Sequence, residues 1–117
     1  MTNEKLMVYT QNILIKGGRM LAEFSVIPIG SGTSLSMYVA ECLHIVKDSG
    51  LRYQLTPMGT VIEGNDEKVM AVILRCHQRV LEISDRVATN IKIDERKGRH
   101  DEMERKVSSV MEKQAWQ

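Results

Sequence analysis

Thr56-Pro57-Met58-Gly59-Thr60-Val61-Ile62-Glu63-Gly64 is the stretch on which the reading of this chain turns. Pro57 removes a backbone donor and fixes its own φ, so a strand arriving from Tyr53 to Thr56 has to break there. After the break, Met58 to Glu63 reads as a short β-strand closed by Gly64. A carboxylate at the end of an otherwise apolar strand is costly to bury alone, so Glu63 has to face a partner, a solvent edge or a ligand.

Outward from that stretch the chain falls into punctuated elements. Upstream, Leu21 to Ile29 alternates Ala22, Phe24, Val26 and Pro28 with Leu21, Glu23, Ser25, Ile27 and Ile29, which predicts a strand. Gly30-Ser31-Gly32 is a turn, and Thr33 or Ser34 stands where a helix cap is wanted. A helix follows over about Leu35 to Lys47, with Tyr38, Val39, Cys42, Leu43 and Val46 on its apolar face and Ser49-Gly50 as its stop. Downstream, Gly64-Asn65-Asp66 turns into a second helix capped by Asn65 or Asp66. Its stripe is Val69, Met70, Val72, Ile73, Cys76, Val80 and Leu81. Val87 to Asp94 is the fourth strand, and a polar stretch, Glu95 to Asp101, leads to a last amphipathic helix over about Glu102 to Lys113.

Strand–helix–strand–strand–helix–strand is the split βαβ order. The fold class is therefore α+β: a ferredoxin-like βαββαβ plan with a four-stranded antiparallel sheet, two helices on one face and an extra C-terminal helix. Period two then assigns the faces. Ala22, Phe24 and Val26 meet the helices, as do Val87, Thr89, Ile91 and Ile93. Glu23, Ser25 and Ile27 point to the bare face beside Asn90 and Lys92. The third strand is ambiguous, Thr60 and Ile62 sharing one side, Val61 and Glu63 the other. A bare face of mixed polarity carrying Ile27 predicts an oligomer, a dimer or tetramer of this chain, with pockets at the joint.

Residues 1–19 have no clear period, and Lys16-Gly17-Gly18-Arg19-Met20 has the form of a ribosome-binding purine run read in frame. The expectation is an N-terminal extension or leader over 1–19 and one domain over 20–117. The 117 residues are enough for one core. With 43% hydrophobic and 26% charged residues, the composition is that of a globular protein. A net charge of +1 offers no long-range field for nucleic acid or anionic membranes. No membrane-spanning run or secretory signal is present, and Cys42 and Cys76 inside helices point to reduced thiols and a cytoplasmic location, although a disulfide between them stays open.

Several chemistries are poorly served. His44, His77 and His100 have no metal-ligand spacing, so no metal is expected. No Ser or Cys sits in a glycine-framed elbow, and Gly30-Ser31-Gly32 is too short for a phosphate loop. Phe24, the only phenylalanine, belongs to the core, which removes the aromatic platform of an RNA-binding sheet. What remains is a set of polar groups around the sheet. Glu63 with Thr60 can accept hydrogen bonds from an amino-heteroaromatic ring, the alternative being an ion pair with Lys92 or another lysine. Lys92 can equally pair Glu23 across strands. Ser25, Thr33 and Ser34 stand where the first strand opens into its helix.

Ala22-Glu23-Phe24-Ser25-Val26-Ile27-Pro28-Ile29-Gly30, then Thr33-Ser34-Leu35-Ser36-x-Tyr38-Val39, resembles the opening of a family of small thiamine-binding proteins. The likeness continues through Ser49-Gly50-Leu51-x-Tyr53, Met58 to Gly64, Cys76-His77 and Ile91-Lys92-Ile93-Asp94-x-Arg96, over roughly residues 20–113. The resemblance implies a ferredoxin-like fold, sheet-to-sheet dimers commonly assembled into tetramers, binding of thiamine or its hydroxymethylpyrimidine moiety, and no family-wide catalysis or cofactor. Ser25, Thr33, Ser34, Thr60, Glu63 and Lys92 are the ligand-binding candidates at matching positions. The expectation is a non-enzymatic binder with its ligand near a subunit interface. The alternative is a regulatory or structural oligomeric module for another metabolite or a protein. One geometric difficulty stands: Thr60 and Glu63 have opposite parity and cannot face one pocket on a regular strand.

Overall fold

The computed structural model of the chain describes residues 19–98 and 102–115. The extension expected over 1–19 therefore lies outside the described residues, except that Arg19 already belongs to the first strand. The elements run β1 (Arg19–Pro28), α1 (Ser36–Ser49), β2 (Arg52–Thr56), β3 (Gly59–Asn65), α2 (Asp66–Glu82), β4 (Val87–Asp94) and α3 (Glu102–Ala115). The sheet has four strands in the order β2-β3-β1-β4, every neighbouring pair antiparallel. This is the α+β, ferredoxin-like plan that the element order predicts.

The register settles the faces. Phe24 lies opposite Thr60 and Ile91, and Ala22 opposite Ile62 and Ile93. Directly opposed residues share a face, so Thr60 and Ile62 join the helix side and the ambiguity of β3 is resolved. That side holds the core: Ala22, Phe24, Val26 and Ile62 from the sheet meet Tyr38, Cys42 and Val46 of α1 and Val69, Val72, Ile73, Cys76 and Val80 of α2. Burying a side chain of that size stabilises by roughly 1.5–3 kcal/mol. This apolar layer is therefore what seats both helices on the strands.

The ends of the elements follow local chemistry. Asn65 caps α2, accepting from the Lys68 N–H at 3.2 Å through its side-chain oxygen. Gly50 closes α1 with φ +74°, a conformation glycine adopts without strain. The start of α1 differs from expectation. Leu35, not Thr33 or Ser34, holds the N-cap position, and no side chain caps the helix. Thr33 and Ser34 are exposed in the loop ahead of it.

The edges also differ. Ile91 and Ile93 point to the helix side as predicted, yet remain 40% and 48% exposed. β4 is an edge strand, and α2 covers β1 and β3 more fully than it covers β4. Met70 and Leu81, expected in the buried stripe of α2, are exposed for the same reason. His77 Nδ1 and Thr89 Oγ1, 2.6 Å apart, make a polar tie between α2 and β4 inside this partly open margin.

Candidate functional site

The opening stretch builds one wall of a cavity. Thr56 Oγ1 donates to the Gly59 carbonyl at 2.8 Å and accepts from the N–H groups of Met58 and Gly59 at 3.2 and 3.1 Å, folding the β2–β3 connection tightly on itself. Gly59 is needed because the turn runs against β1: a Cβ there would lie 2.9 Å from the Phe24 carbonyl oxygen. The space between this turn, the end of β1 and the start of α1 is a cavity of about 180 Å³. Phe24, Val26, Leu35, Val39 and Leu55 give it apolar walls, and Thr60 lies on its side of the sheet. Cys42 of α1 also lines it.

Behind that wall the two thiols meet. Cys76 Sγ donates to the Cys42 carbonyl at 3.6 Å, and Cys42 Sγ to the Cys76 carbonyl at 3.9 Å. Both cysteines are free and buried. The Cys76 thiol beside Cys42 holds the Cys42 thiol below its ordinary range against the opposing effect of burial. Cys76 is pushed upward, first by its hydrogen bond with Cys42 and then by desolvation.

Glu63 belongs to a different place. Register puts Arg52, Glu63, Leu21 and Asp94 in one row across all four strands, on the face away from α1 and α2. α3 begins over this row. Glu63, 2% exposed, accepts from the Met103 N–H at 3.2 Å, and its other oxygen lies 4.0 Å from Arg52 Nη1. Arg52 Nη2 donates to Glu104 Oε2 at 2.9 Å, and Lys106 donates to Asp94. The Lys106 hydrogen bond is the chief reason that the Asp94 carboxyl is held below its ordinary value. Glu63 thus caps the N-terminus of α3 from a distant strand. An anion is favoured at that position because helix N–H groups are unsatisfied there and the helix dipole is positive.

The six predicted ligand residues divide accordingly. Thr60 lines the cavity. Ser25 borders it along β1, although alternation turns its side chain to the other face. Thr33 and Ser34 are exposed outside it, and Lys92 is exposed opposite Glu23 on the open face. Glu63 lies under α3. Thr60 and Glu63 face opposite sides of the sheet with no bend to unite them, so the parity read from the strand holds. Sequence reasoning passed over Leu35, Leu55 and Met58 as cavity residues. Their signal was an apolar side chain where pattern wants a polar one: a cap position, an edge strand and a turn. Among the described residues no cluster of three or more His, Cys, Asp or Glu could hold a metal ion. None of the described helices is long and apolar enough to cross a membrane.

Known proteins resemble the chain over most of its length. A UPF0045 protein of Methanocaldococcus jannaschii is 37% identical over 94 residues, covering 80% of this chain and 94% of the relative. Its crystal structure superposes with a TM-score of 0.76, over 80% of this chain and 97% of the other. The UPF0045 protein YqgV of Bacillus subtilis is 41% identical over 96 residues, 77% of this chain and 92% of the relative. A Thermotoga maritima protein named provisionally for thiamine biosynthesis or salvage shares the fold at a TM-score of 0.70 and 21% identity, covering 79% of this chain and 98% of its own. The model of the thiamine-binding protein family matches residues 22–111, and to that family this chain belongs.

Proposed function

We propose that this chain is a non-enzymatic binding protein that takes thiamine, or its hydroxymethylpyrimidine moiety, into the cavity between the β2–β3 turn, β1 and α1. The observation that carries the reading is the cavity itself, an apolar slot with the Thr60 hydroxyl on its sheet side. Apolar walls with few polar groups are the usual make-up of a small-molecule site. Drug-sized ligands occupy pockets of roughly 300–1,000 Å³, so a volume of about 180 Å³ suits one ring at a time. A pyrimidine ring seats there, and the second ring of thiamine extends past Met58, which is 84% exposed at the lip. Thr60 Oγ1 is the side-chain polar group offered to the ring from the sheet. Membership of the thiamine-binding family and the name of the Thermotoga maritima protein support the choice of ligand. Glu63 and Lys92 stand outside this site.

The protein works as a homo-oligomer in the cytoplasm in this reading. Val39, Leu55 and Met58, which line the cavity and are also exposed, leave an apolar rim that a neighbouring subunit covers, and two unpaired thiols suit a reducing compartment. Calorimetry with thiamine and with hydroxymethylpyrimidine is the test. Saturable heat with either ligand supports the assignment, and chromatography of the ligand afterwards should recover it unchanged. Absence of heat at millimolar ligand, with the folded protein confirmed by circular dichroism, defeats the ligand; a new product defeats the non-enzymatic role.

A further inference from the structure

Cys42 and Cys76 are 34 residues apart in the chain and meet where α1 lies against α2. Each thiol donates to the other residue's own carbonyl, at 3.6 and 3.9 Å. Such reciprocity requires both side chains to point into the same gap between the helices, so neither is turned away from the other. Their surroundings are unequal. Cys76 is 0% exposed, whereas Cys42 is 7% exposed and lines the cavity. Cys42 thus borders the cavity, and Cys76 lies behind it, closed to solvent.

We propose that Cys42 and Cys76 form a peroxide-oxidisable dithiol, with Cys42 attacking a hydroperoxide admitted by the cavity and Cys76 resolving the product into a disulfide that ties α1 to α2. The Cys42 thiolate attacks one oxygen of the hydroperoxide and the O–O bond breaks. The sulfur loses two electrons and becomes a sulfenic acid, and the leaving alkoxide or hydroxide takes up the thiol proton. The Cys76 sulfur then attacks the Cys42 sulfur, and hydroxide departs with the Cys76 proton as water. The sum is two thiols and one hydroperoxide giving one disulfide, one alcohol or water from the peroxide, and one water. An S–S bond is about 2.05 Å long, so the sulfurs leave their carbonyls and turn toward each other.

The competing description is a pair of inert core thiols. Burial in apolar surroundings raises a thiol and silences it. At Cys42 the neighbouring Cys76 lowers the thiol against the effect of burial, and it is the cavity at Cys42, absent at Cys76, that assigns the attacking role. None of this depends on what the cavity binds, so the dithiol and the thiamine reading stand or fall separately.

The test treats the folded protein with tert-butyl hydroperoxide and reads intact mass and a non-reducing peptide map. Loss of two hydrogen masses, with Cys42 and Cys76 found in one linked peptide pair, is the expected result. Cys76→Ser should halt at a Cys42 sulfenic acid trapped by a 1,3-dione, and Cys42→Ser should leave Cys76 at least about tenfold slower to react. If a serine variant does not fold, the wild-type map and the alanine variants carry the same comparison. Both thiols retained, overoxidation of Cys42 without a cross-link, or oxidation no faster than global unfolding measured by hydrogen exchange would each overturn the proposal.

Discussion

Thr60 and Glu63 are near neighbours in the chain and look in opposite directions, and that opposition separates the cavity from the anchor of α3. Thr60→Val keeps the shape of the cavity wall and removes its hydroxyl. A single neutral hydrogen bond contributes about 0.5–1.5 kcal/mol, so affinity for hydroxymethylpyrimidine should fall roughly 3- to 10-fold by calorimetry, with an unchanged circular dichroism spectrum. An unaltered dissociation constant would take Thr60 out of the site. The neighbouring glycines make a second contrast. At Gly59 a new Cβ meets the Phe24 backbone carbonyl at 2.9 Å, which gives way only if the sheet shifts. At Gly64 the nearest atom is Leu51 Cδ2 at 2.6 Å, the far end of a side chain that can swing aside. Gly59→Ala should cost about 1–3 kcal/mol of stability, read from the urea midpoint, and Gly64→Ala less. Equal costs would contradict the packing described for the turn.

At the scale of the element, α3 is the part whose place the sequence conceals. Its amphipathic pattern was legible, and so was its span to within two residues at its C-terminal end. Its docking was not, because Glu63, Arg52 and Asp94 receive it from three different strands and nothing in their local sequence marks a helix partner. Glu63→Gln keeps an acceptor for the Met103 N–H but removes the charge. A charge-assisted hydrogen bond exceeds a neutral one by about 1 kcal/mol. Amides of α3 should therefore exchange faster in this variant while those of β1 and β3 keep their rates and ligand affinity stays the same. A loss of affinity instead would return Glu63 to the binding site. Acid should act on the same anchor. The folded-state pKa of Asp94 lies below its ordinary value of 3.8, chiefly through Lys106. A depressed carboxyl contributes stability above its unfolded value and loses it as pH falls through the folded one. The α3 resonances should accordingly hold their shifts at neutral pH and begin to move only below about pH 3.8, less so in Asp94→Asn. Movement complete by pH 5 would refute this anchor. Other parts of the fold were open to reading because period two is strict: counting sets Glu23 and Ser25 on the same face as Asn90 and Lys92, and the register then places Glu23 opposite Lys92 and Ser25 opposite Asn90. The N-cap of α1 was misread because composition favours Thr33 and Ser34, and it is the apolar Leu35, half-buried at the cavity, that occupies the cap instead.

For the whole molecule, the open face of the sheet is only partly roofed. α3 covers the row through Glu63, while Ile27 and Val61 farther along the face stay half-buried, and α3 itself exposes Val107, Val110 and Met111 at 56, 65 and 60%. Apolar surface of this extent on a small domain favours self-association. Sedimentation should find a dimer or tetramer, and Val110→Asp should move it toward monomer without loss of secondary structure; a wild-type protein that sediments only as a monomer at micromolar concentration would end this reading. The sheet order has a further consequence, in time. Among the described strands only β2 and β3 are joined by a tight turn, with Thr56 opposite Gly59. β1, the strand between β3 and β4, is made first and finds its partners last, since Leu21 pairs with Glu63 and Asp94. Closing long loops before the contacts that reward them slows folding. A chain emerging from the ribosome therefore carries β1 with both flanks unpaired until β3 arrives, and with one flank unpaired until Val87–Asp94 is complete.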